Sequence, residues 1–404
     1  MQNKVIYVTS ACPYGKGEVW GIREIISLKE AGVEVVVVPR SLKGKQIVYR
    51  DAHKILNDIL AVSLLDPKAI CYFLGRCFST PVSVFKTLKW IVGYADSFTW
   101  LVKALVVTPK SYFVARRLRG KEISHIHAFS STSVSVVAYI LSTELHVPWS
   151  ITFHSSWKID DKYKSISTQL ASVKFVRAIS TEVQNTLDCF TSYRFSDKLK
   201  VVHIGVDCET LGNKQIECNR GIFRICTVGG LNSWKGIDIS LQAIKELIDR
   251  GKDHFQWFFY GDGPLKESLM EMSIRLNIEK YAVFAGSIDN ASIISSYQNG
   301  DIDLYVQNSI CRDGVYEGIP VSIMEAMANG IPVIASDCGG TKELVDSESG
   351  TLIEQGNPIM TAEEIIRYMG DHEYRRRQRE RALGKVKKEF NSRIIANELI
   401  QLFK

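Results

Sequence analysis

The sequence predicts an α/β protein of two doubly wound domains, each built on a parallel sheet, with the two domains facing each other across a cleft. Short apolar strands alternate with amphipathic helices along the chain, an order typical of parallel sheets that carry helices on both faces. A strand followed by a glycine-rich turn occurs twice, at residues 5–21 and at residues 223–236. The length of 404 residues allows two domains, each large enough for its own core.

The composition is that of an ordinary globular protein, with 46% hydrophobic and 23% charged residues. A net charge of +6 is too small to indicate a nucleic-acid partner, although it suits an anionic substrate or an anionic membrane surface. The nine cysteines are scattered without a C-x-x-C motif, which predicts reduced thiols in a cytoplasmic protein rather than disulfides or a zinc site. We expect neither a signal peptide nor a membrane-spanning segment.

The first strand–helix–strand unit carries a glycine-rich turn. Gly15, Gly17 and Gly21 follow the first strand, and such a turn can bind a phosphate. The spacing G-x-G-x-x-x-G differs from the dinucleotide-binding pattern, and the second strand ends at Pro39 and Arg40 without the acidic residue that holds an NAD ribose. Because Arg40 would suit the extra phosphate of NADP, an NADP-dependent oxidoreductase remains an alternative.

Residues 86–119 are basic and aromatic. They contain seven basic residues and one acidic residue, Asp96, with aromatic residues between them. Amphipathic helices of this composition can lie in a membrane interface. A hydrated basic face over an aromatic core explains the pattern equally well, so both interpretations stay open.

His154 is a candidate site residue of the first domain. It lies at the C-terminal end of the apolar strand predicted at residues 147–156, and ligands of open α/β sheets bind beyond the carboxyl ends of strands. A histidine in that place can donate a hydrogen bond to a sugar hydroxyl or to a phosphate. His127, near the end of the preceding strand, is a weaker candidate.

The second glycine-rich turn follows the strand predicted at residues 223–228. Gly229 and Gly230 allow a ligand to approach the backbone closely, and Lys235 adds a point charge. We therefore expect this turn to bind an anion.

Residues 317–345 form the stretch around which the rest of the chain is organised. Glu317 and Glu325 are separated by seven residues and frame a turn and a helix start, whose unpaired N–H groups favour a phosphate. Two such carboxylates can accept hydrogen bonds from separate hydroxyl groups of one polyol. A further helix start is predicted after Gly340. The candidate binding segment between the glutamates consists of Gly318, Ile319, Pro320 and Val321.

The stretch from Glu317 to Glu325 resembles the E-x7-E region of retaining glycosyltransferases of the GT-B fold, family 4. The resemblance implies a nucleotide-sugar site in which Glu317 and the amides after it hold the donor sugar, and Glu325 holds the ribose hydroxyls. It also implies that Lys235 holds the diphosphate and that the region of Gly286 borders the nucleobase. His154 matches a family position near the donor sugar.

The family's phosphate-binding turn carries an arginine where this chain has Gly230. The loss of one cation should weaken stabilisation of the departing phosphate. The cations that could substitute are Lys16, Arg23, Arg224 and Arg312.

The expected domains are residues 1–205 and 206–385, with a polar linker near residues 213–221. In the family the last helix crosses back onto the first domain. The resemblance therefore implies that residues 386–404 return to it.

The resemblance implies a retaining enzyme that moves a sugar from a UDP- or GDP-sugar to a glycan or lipid-linked acceptor, in cell-surface polysaccharide biosynthesis on the cytoplasmic face of a membrane. No Asp/His metal cluster is apparent, so we expect no metal and no cofactor, and assign charge stabilisation to Lys235 and to the helix starts after Gly318 and Gly340. Glu317 and His154 would position the sugar. A catalytically silent nucleotide-binding subunit, indicated by the missing arginine, is a second alternative beside the oxidoreductase.

Overall fold

The computed structural model describes residues 4–14, 18–42, 50–154, 163–208 and 221–404. The chain divides into two compact units, one of residues 1–205 with 392–404 and one of residues 206–391. Each unit contains a six-stranded sheet whose strands pair in parallel, with helices between the strands. The predicted class, α/β with two doubly wound domains, is confirmed.

The first unit is built on six strands that follow the pattern expected from the sequence. The strands are β1 (Lys4–Thr9), β2 (Glu34–Pro39), β3 (His125–Ala128), β4 (Trp149–Phe153), β5 (Phe175–Ala178) and β6 (Leu199–Val201). The helices are α1 (Val19–Glu30), α2 (Pro67–Ser79), α3 (Pro81–Tyr94), α4 (Phe98–Leu118), α5 (Ser133–Leu145), α6 (Tyr163–Ser172) and α7 (Thr181–Phe190), with a 3₁₀ helix at Arg50–Asp58. The strand order is β2-β1-β3-β4-β5-β6, so the order reverses beside β1. The carboxyl ends of β1 and β3 therefore flank the place where such sheets bind ligands.

The second unit repeats this plan in residues 206–391. Its strands are β7 (Phe223–Val228), β8 (Phe255–Tyr260), β9 (Ala282–Gly286), β10 (Leu304–Gln307), β11 (Val333–Ser336) and β12 (Thr351–Ile353). Its helices are α8 (Ile237–Asp249), α9 (Lys266–Arg275), α10 (Asn290–Gln298), α11 (Val321–Ala328), α12 (Thr341–Leu344), α13 (Pro358–Gly370) and α14 (His372–Glu389). The order β12-β11-β10-β7-β8-β9 reverses between β7 and β10, so the carboxyl ends of these two strands flank the expected binding place.

The last helix, α15 (Ser392–Phe403), packs on the core of the first unit. Its apolar residues at i, i+4 and i+8 form one face, because that spacing returns to the same side of a helix. Ile395, Leu399 and Phe403 are buried on this face, and the Phe403 ring lies 4.9 Å from that of His125. Helix α14 continues to Glu389, so the return to the first unit begins at Ser392 rather than at residue 386.

Helices α2, α3 and α4 form a layer on the first unit that includes the basic, aromatic residues 86–119. Their inner faces belong to the protein interior: Ile91 and Tyr94 are buried, and the Trp90 ring stacks on Tyr139 at 4.0 Å. Part of the predicted aromatic core is therefore present. Across the described ranges, no helix is long and apolar enough to cross a membrane.

Candidate functional site

Lys235 and Glu317, both predicted site residues, meet in the second unit. Lys235 ends a single 3₁₀ turn between β7 and α8, and Glu317 lies on the loop that leads to α11. Lys235 Nζ is 2.5 Å from Glu317 Oε1, and the two side chains are only 16% and 12% exposed. The pair lies past the carboxyl ends of β7 and β10, the neighbouring strands between which the strand order reverses.

Polar residues at the end of β10 and directly after it hold the carboxylate of Glu317 in place. Its Oε1 accepts hydrogen bonds from Gln307 Nε2 at 3.1 Å and from Ser309 Oγ at 3.0 Å. The Gln307 amide is fixed in turn, since its Oε1 accepts from Tyr305 Oη at 2.8 Å and from Ser322 Oγ at 3.2 Å. Burial raises the pKa of Tyr305, which keeps the phenol protonated as a donor. A relay of neutral donors therefore orients Glu317.

The backbone around this pair is packed so closely that two positions require glycine. Gly236 has a φ of 60°, and a Cβ there would lie 1.7 Å from the carbonyl oxygen of Asn308. Gly339 has a φ of 59°, and a Cβ there would lie 1.9 Å from the carbonyl oxygen of Glu317. Positive φ and absent side chains thus bring the loops that carry Lys235 and Glu317 against β10 and β11.

Gly229 and Gly230 lie in the turn after β7, beside Lys235. A Cβ on Gly229 would be 3.3 Å from Lys235 Cε, and one on Gly230 would be 2.6 Å from the side-chain nitrogen of Asn232. Asn232 therefore fills space that a side chain at position 230 would enter. Sequence reasoning did not single out this residue.

Arg312 is the proposed substitute cation that the structure places at the Lys235 turn. Its Nη1 donates to the carbonyl of Ser233 at 3.0 Å, and its Nη2 pairs with Asp238 at 2.7 Å. Arg224 lies near the amino end of β7, away from the turn, and pairs with Asp301 at 3.6 Å. Arg23 belongs to α1 in the first unit. Of the four predicted substitutes, Lys16 lies outside the described residues.

The predicted binding segment leads into α11. Gly318, Ile319 and Pro320 are buried, and Pro320 is the N-cap residue of α11. Helix α11 begins at Val321, and the Pro320 carbonyl accepts from the N–H groups of Ile323 at 3.1 Å and Met324 at 3.3 Å. The N–H groups of Val321 and Ser322 precede these bonds and have no acceptor within the helix. The second predicted helix start is present at Thr341, but α12 has only four residues and therefore few aligned peptide dipoles.

Glu325 lies in the second turn of α11 and is 8% exposed. Both of its carboxylate oxygens accept from Asn290 Nδ2 at 2.9 Å. Asn290 begins α10, four residues after Gly286, which ends β9 at the same carboxyl edge of the sheet. The sequence offered no signal for Asn290, because its partner lies 35 positions away.

His154 directly follows β4 rather than lying within the end of the strand, and its hydrogen bonding also differs from the expectation. Its Nε2 lies 2.6 Å from the carbonyl oxygen of Phe129, so this nitrogen must carry the proton. Burial lowers the pKa of His154 to about 3, which keeps the ring neutral. Its buried Nδ1 has no partner in the described part of the chain. The free nitrogen can therefore accept a hydrogen bond from a hydroxyl but cannot donate one.

The remaining candidates of the first unit are His127, Gly15 and Gly17. His127 is fully buried and bonds to Ser150 Oγ at 2.7 Å and to Thr152 Oγ1 at 2.8 Å, which explains it as a core residue. Gly15 and Gly17 lie outside the described residues. Beside them, the Glu18 carboxylate accepts from the N–H groups of Ser10 at 2.9 Å and of the following two residues. These amides after β1 already hold an anionic group.

The described residues contain no group of three or more His, Cys, Asp or Glu side chains arranged to hold a metal ion.

Residues 214–384 match the family model described as glycosyl transferases group 1. This segment is therefore similar in sequence to group 1 glycosyl transferases. The match includes the Lys235–Glu317 pair and Glu325, and the resemblance of the chain to group 1 glycosyltransferases of the GT-B fold is confirmed.

Two named glycosyltransferases are similar in sequence to part of this chain. WcaL of Escherichia coli K12, a protein named for colanic acid biosynthesis, is 27% identical over 51% of this chain and 51% of its own length. The amylovoran biosynthesis glycosyltransferase AmsK of Erwinia amylovora is 28% identical over the same shares. The chain thus spans about half the length of these curated relatives.

Similarity in fold to a solved structure extends over 98% of the chain. The Anabaena protein HepE has been crystallised with UDP and with UDP-glucose. Its UDP complex is similar to this chain with a TM-score of 0.72 and 17% identity, over 98% of both chains. At this identity the similarity shows the fold alone.

Proposed function

We propose that the protein is a retaining glycosyltransferase that moves a hexosyl group from a nucleotide-sugar donor to a glycan or lipid-linked acceptor. The observation that carries the proposal is the Lys235–Glu317 ion pair, held past the carboxyl ends of β7 and β10 in the segment that matches the group 1 family model. Names of relatives support a role in polysaccharide biosynthesis. The bound UDP and UDP-glucose of HepE support a UDP-sugar as the first donor class to test.

Donor binding would divide the Lys235–Glu317 pair between two parts of one ligand. Without donor, the two charges neutralise each other at 2.5 Å. A nucleotide sugar brings a diphosphate for the ammonium and sugar hydroxyls for the carboxylate. Gln307 and Ser309 would keep Glu317 oriented after Lys235 turns to the phosphate, since they bond to the carboxylate independently.

The reaction breaks the bond between the anomeric carbon and the diphosphate oxygen. Negative charge then grows on the departing phosphate, where Lys235 and the amides at the start of α11 would stabilise it. The acceptor hydroxyl attacks from the face that the diphosphate leaves, and its proton passes to the departing phosphate oxygen. We assign this charge stabilisation to protein groups, without a metal or another cofactor. The configuration at the anomeric carbon is retained.

Glu325 and His154 have supporting roles in this proposal. Glu325 would accept from the ribose hydroxyls, with Asn290 fixing its carboxylate. His154 stays a prediction for the sugar, now as a hydrogen-bond acceptor through Nδ1. We propose that the enzyme works in the cytoplasm.

The test is a binding and turnover scan of the purified protein. Thermal unfolding is measured with UDP-, GDP- and ADP-sugars and with NADPH, and diphosphate release is followed with lipid extracts as the acceptor source. We expect one nucleotide sugar to raise the Tm selectively and to be turned over. Loss of turnover in Glu317→Gln, with retained binding of the free nucleotide, would support the assigned role. A rise in Tm with NADPH alone would overturn the proposed glycosyltransferase function.

A second candidate function is a donor-binding subunit without turnover. The observation that favours it is Gly230, where the family pattern has an arginine and where Asn232 now fills the space. Selective donor binding without diphosphate release, across all acceptors offered, would establish this function instead.

A further inference from the structure

Exposed apolar side chains are concentrated on the α2–α4 layer. Among the described residues, 18 large hydrophobic side chains are exposed, and 11 of them lie between Leu65 and Val106. Phe78, Phe85 and Phe98 are 88%, 69% and 80% exposed. Single exposed apolar residues are ordinary, but contiguous apolar surface marks an interaction site.

These side chains recur at helical spacing on the outer face of each helix. On α2 the exposed residues Ile70, Leu74 and Phe78 are four positions apart, and on α4 Phe98 and Val102 repeat that spacing. The opposite faces pack inward. The layer therefore stays attached to the unit through its inner faces, and the fold does not require its outer faces to be covered.

The charge on this surface has one sign. The two acidic residues between 65 and 119 are both used within the fold, since Asp66 caps α2 and Asp96 accepts from the Ser165 N–H at 3.0 Å. Exposed cations surround the apolar residues. They are Lys68, Lys86, Lys89, Lys103, Arg116 and Arg117.

A cationic groove lies at one end of the surface, between the first turns of α2 and the last turns of α4. Its volume is about 700 Å³, and the Arg116 guanidinium lies 4.9 Å from the centre of the Tyr72 ring. On α4, Val106, Phe113 and Arg117 share one face, so the apolar stripe leads directly into the groove. The groove is lined by Lys68, Cys71, Tyr72, Phe113, Arg116 and Arg117.

We propose that the outer face of α2, α3 and α4 docks on an anionic lipid bilayer, with phosphate headgroups in the cationic groove and the phenylalanines inserted among the acyl chains. A partner of this surface must be apolar and anionic over three helices, and a bilayer with acidic lipids supplies both properties. No helix in the described ranges can span a membrane, which agrees with interfacial docking. The surface predicted from the sequence, residues 86–119, thus extends to α2.

The test is cosedimentation of the full chain with vesicles of phosphatidylcholine alone or with 30% phosphatidylglycerol, where that fraction is about the acidic content needed for a marked surface potential. We expect binding to the acidic vesicles that weakens as salt increases. The combined variant Phe78→Asp, Phe85→Asp and Phe98→Asp should bind at least about tenfold less. A matched control replaces exposed residues of the second unit with the same charge: Met270→Asp, Ile274→Asp and Ile359→Asp.

A second pair of variants tests the groove. Reversal of Lys68, Arg116 and Arg117 to glutamate should weaken binding on the order of a hundredfold, since each cation contributes near an acidic surface. The control reverses three exposed cations of α14 for the same change in net charge: Arg377→Glu, Lys387→Glu and Lys388→Glu. Equal binding of surface and control variants would overturn the proposal. So would absence of vesicle binding together with a concentration-dependent dimer that the phenylalanine variant abolishes. Neither result depends on glycosyl transfer, so this inference stands or falls separately from the proposed function.

Discussion

Replacing Lys235 with alanine separates a structural role of the Lys235–Glu317 pair from a role in turnover. The two charged atoms are 2.5 Å apart and both side chains are largely buried. Removal of the ammonium leaves the carboxylate with two neutral donors, Gln307 Nε2 at 3.1 Å and Ser309 Oγ at 3.0 Å. We expect Lys235→Ala to lower the free energy of unfolding by about 1–3 kcal/mol, because a mostly buried carboxylate loses its counter-charge.

Turnover should fall by much more than this change in stability suggests. A cation that meets charge developing on the departing phosphate acts mainly in the transition state, and its loss typically lowers kcat by about 10²–10³-fold. Lys235→Arg keeps the charge with a different geometry, so it should recover part of the turnover.

The double variant Lys235→Ala with Glu317→Gln distinguishes the two effects. A neutral amide at position 317 needs no counter-charge. The free energies of unfolding of the double variant and of Glu317→Gln alone should therefore differ by less than about 0.5 kcal/mol. Its turnover should stay low, since the phosphate still lacks its cation. Stability is measured by urea unfolding, and turnover by diphosphate release at saturating donor. Turnover of Lys235→Ala within about threefold of the native protein would refute the electrostatic argument.

Three further predictions follow from individual contacts. Gly236→Ala should destabilise the protein by about 3 kcal/mol or more, because a Cβ at a φ of 60° would lie 1.7 Å from a carbonyl oxygen; Gly384→Ala, in an open part of α14, is the control. Burial lowers the pKa of His125 to about 3, whereas the same histidine in the unfolded chain has an ordinary pKa of about 6.5. Between these two values the unfolded chain binds a proton that the folded protein does not bind. The contribution of this histidine to the free energy of unfolding should therefore be fully present above pH ~6.5 and be lost as the pH falls toward 3. Urea unfolding at pH 5 should show a loss of about 2 kcal/mol per such histidine. Asn290→Ala should raise the donor KM several-fold with kcat nearly unchanged, because it removes the amide that fixes the Glu325 carboxylate, which we propose binds the ribose.

Each of these has a result that would contradict it. Equal urea midpoints for Gly236→Ala and Gly384→Ala would mean that the turn relaxes without cost. An acid loss of stability that His125→Gln leaves unchanged would remove His125 as its source, with the exposed His254 as the matched control position. A fall in kcat without a change in KM for Asn290→Ala would assign Asn290 to the chemical step rather than to donor binding.

The sequence predicted the parts of the fold that depend on local pattern. Alternation of buried strands and amphipathic helices is a property of neighbouring residues, and it correctly predicted α/β units with parallel sheets. The glycine-rich turn before α8 and the turn before α11 were found for the same reason. The helix start after Gly340 was also predicted, and α12 begins at Thr341, although the two glycines do not indicate how far a helix continues.

The parts of the site that escaped prediction depend on pairs distant in the chain. Gln307 and Tyr305 can orient Glu317 only because the fold places β10 beside the loop that carries Glu317. Asn290 is paired with a carboxylate 35 positions away, and the Nε2–H of His154 already donates to a carbonyl 25 positions away. Residue type states what a side chain can bond, whereas the fold decides which of its atoms are left free.

The glycine at position 230 makes the Lys235–Glu317 pair more important than it would be beside an arginine. With two cations at the turn, one could neutralise Glu317 while the other received the phosphate. Here Arg312 already pairs with Asp238 at 2.7 Å, and Lys235 is committed to Glu317 at 2.5 Å. In the proposed function, donor binding would therefore exchange one charge-assisted contact for another, and Gln307 would lower the free-energy cost by staying bonded to the released carboxylate. It follows that Gln307→Leu should weaken donor binding even though, in this proposal, the Gln307 side chain does not touch the donor.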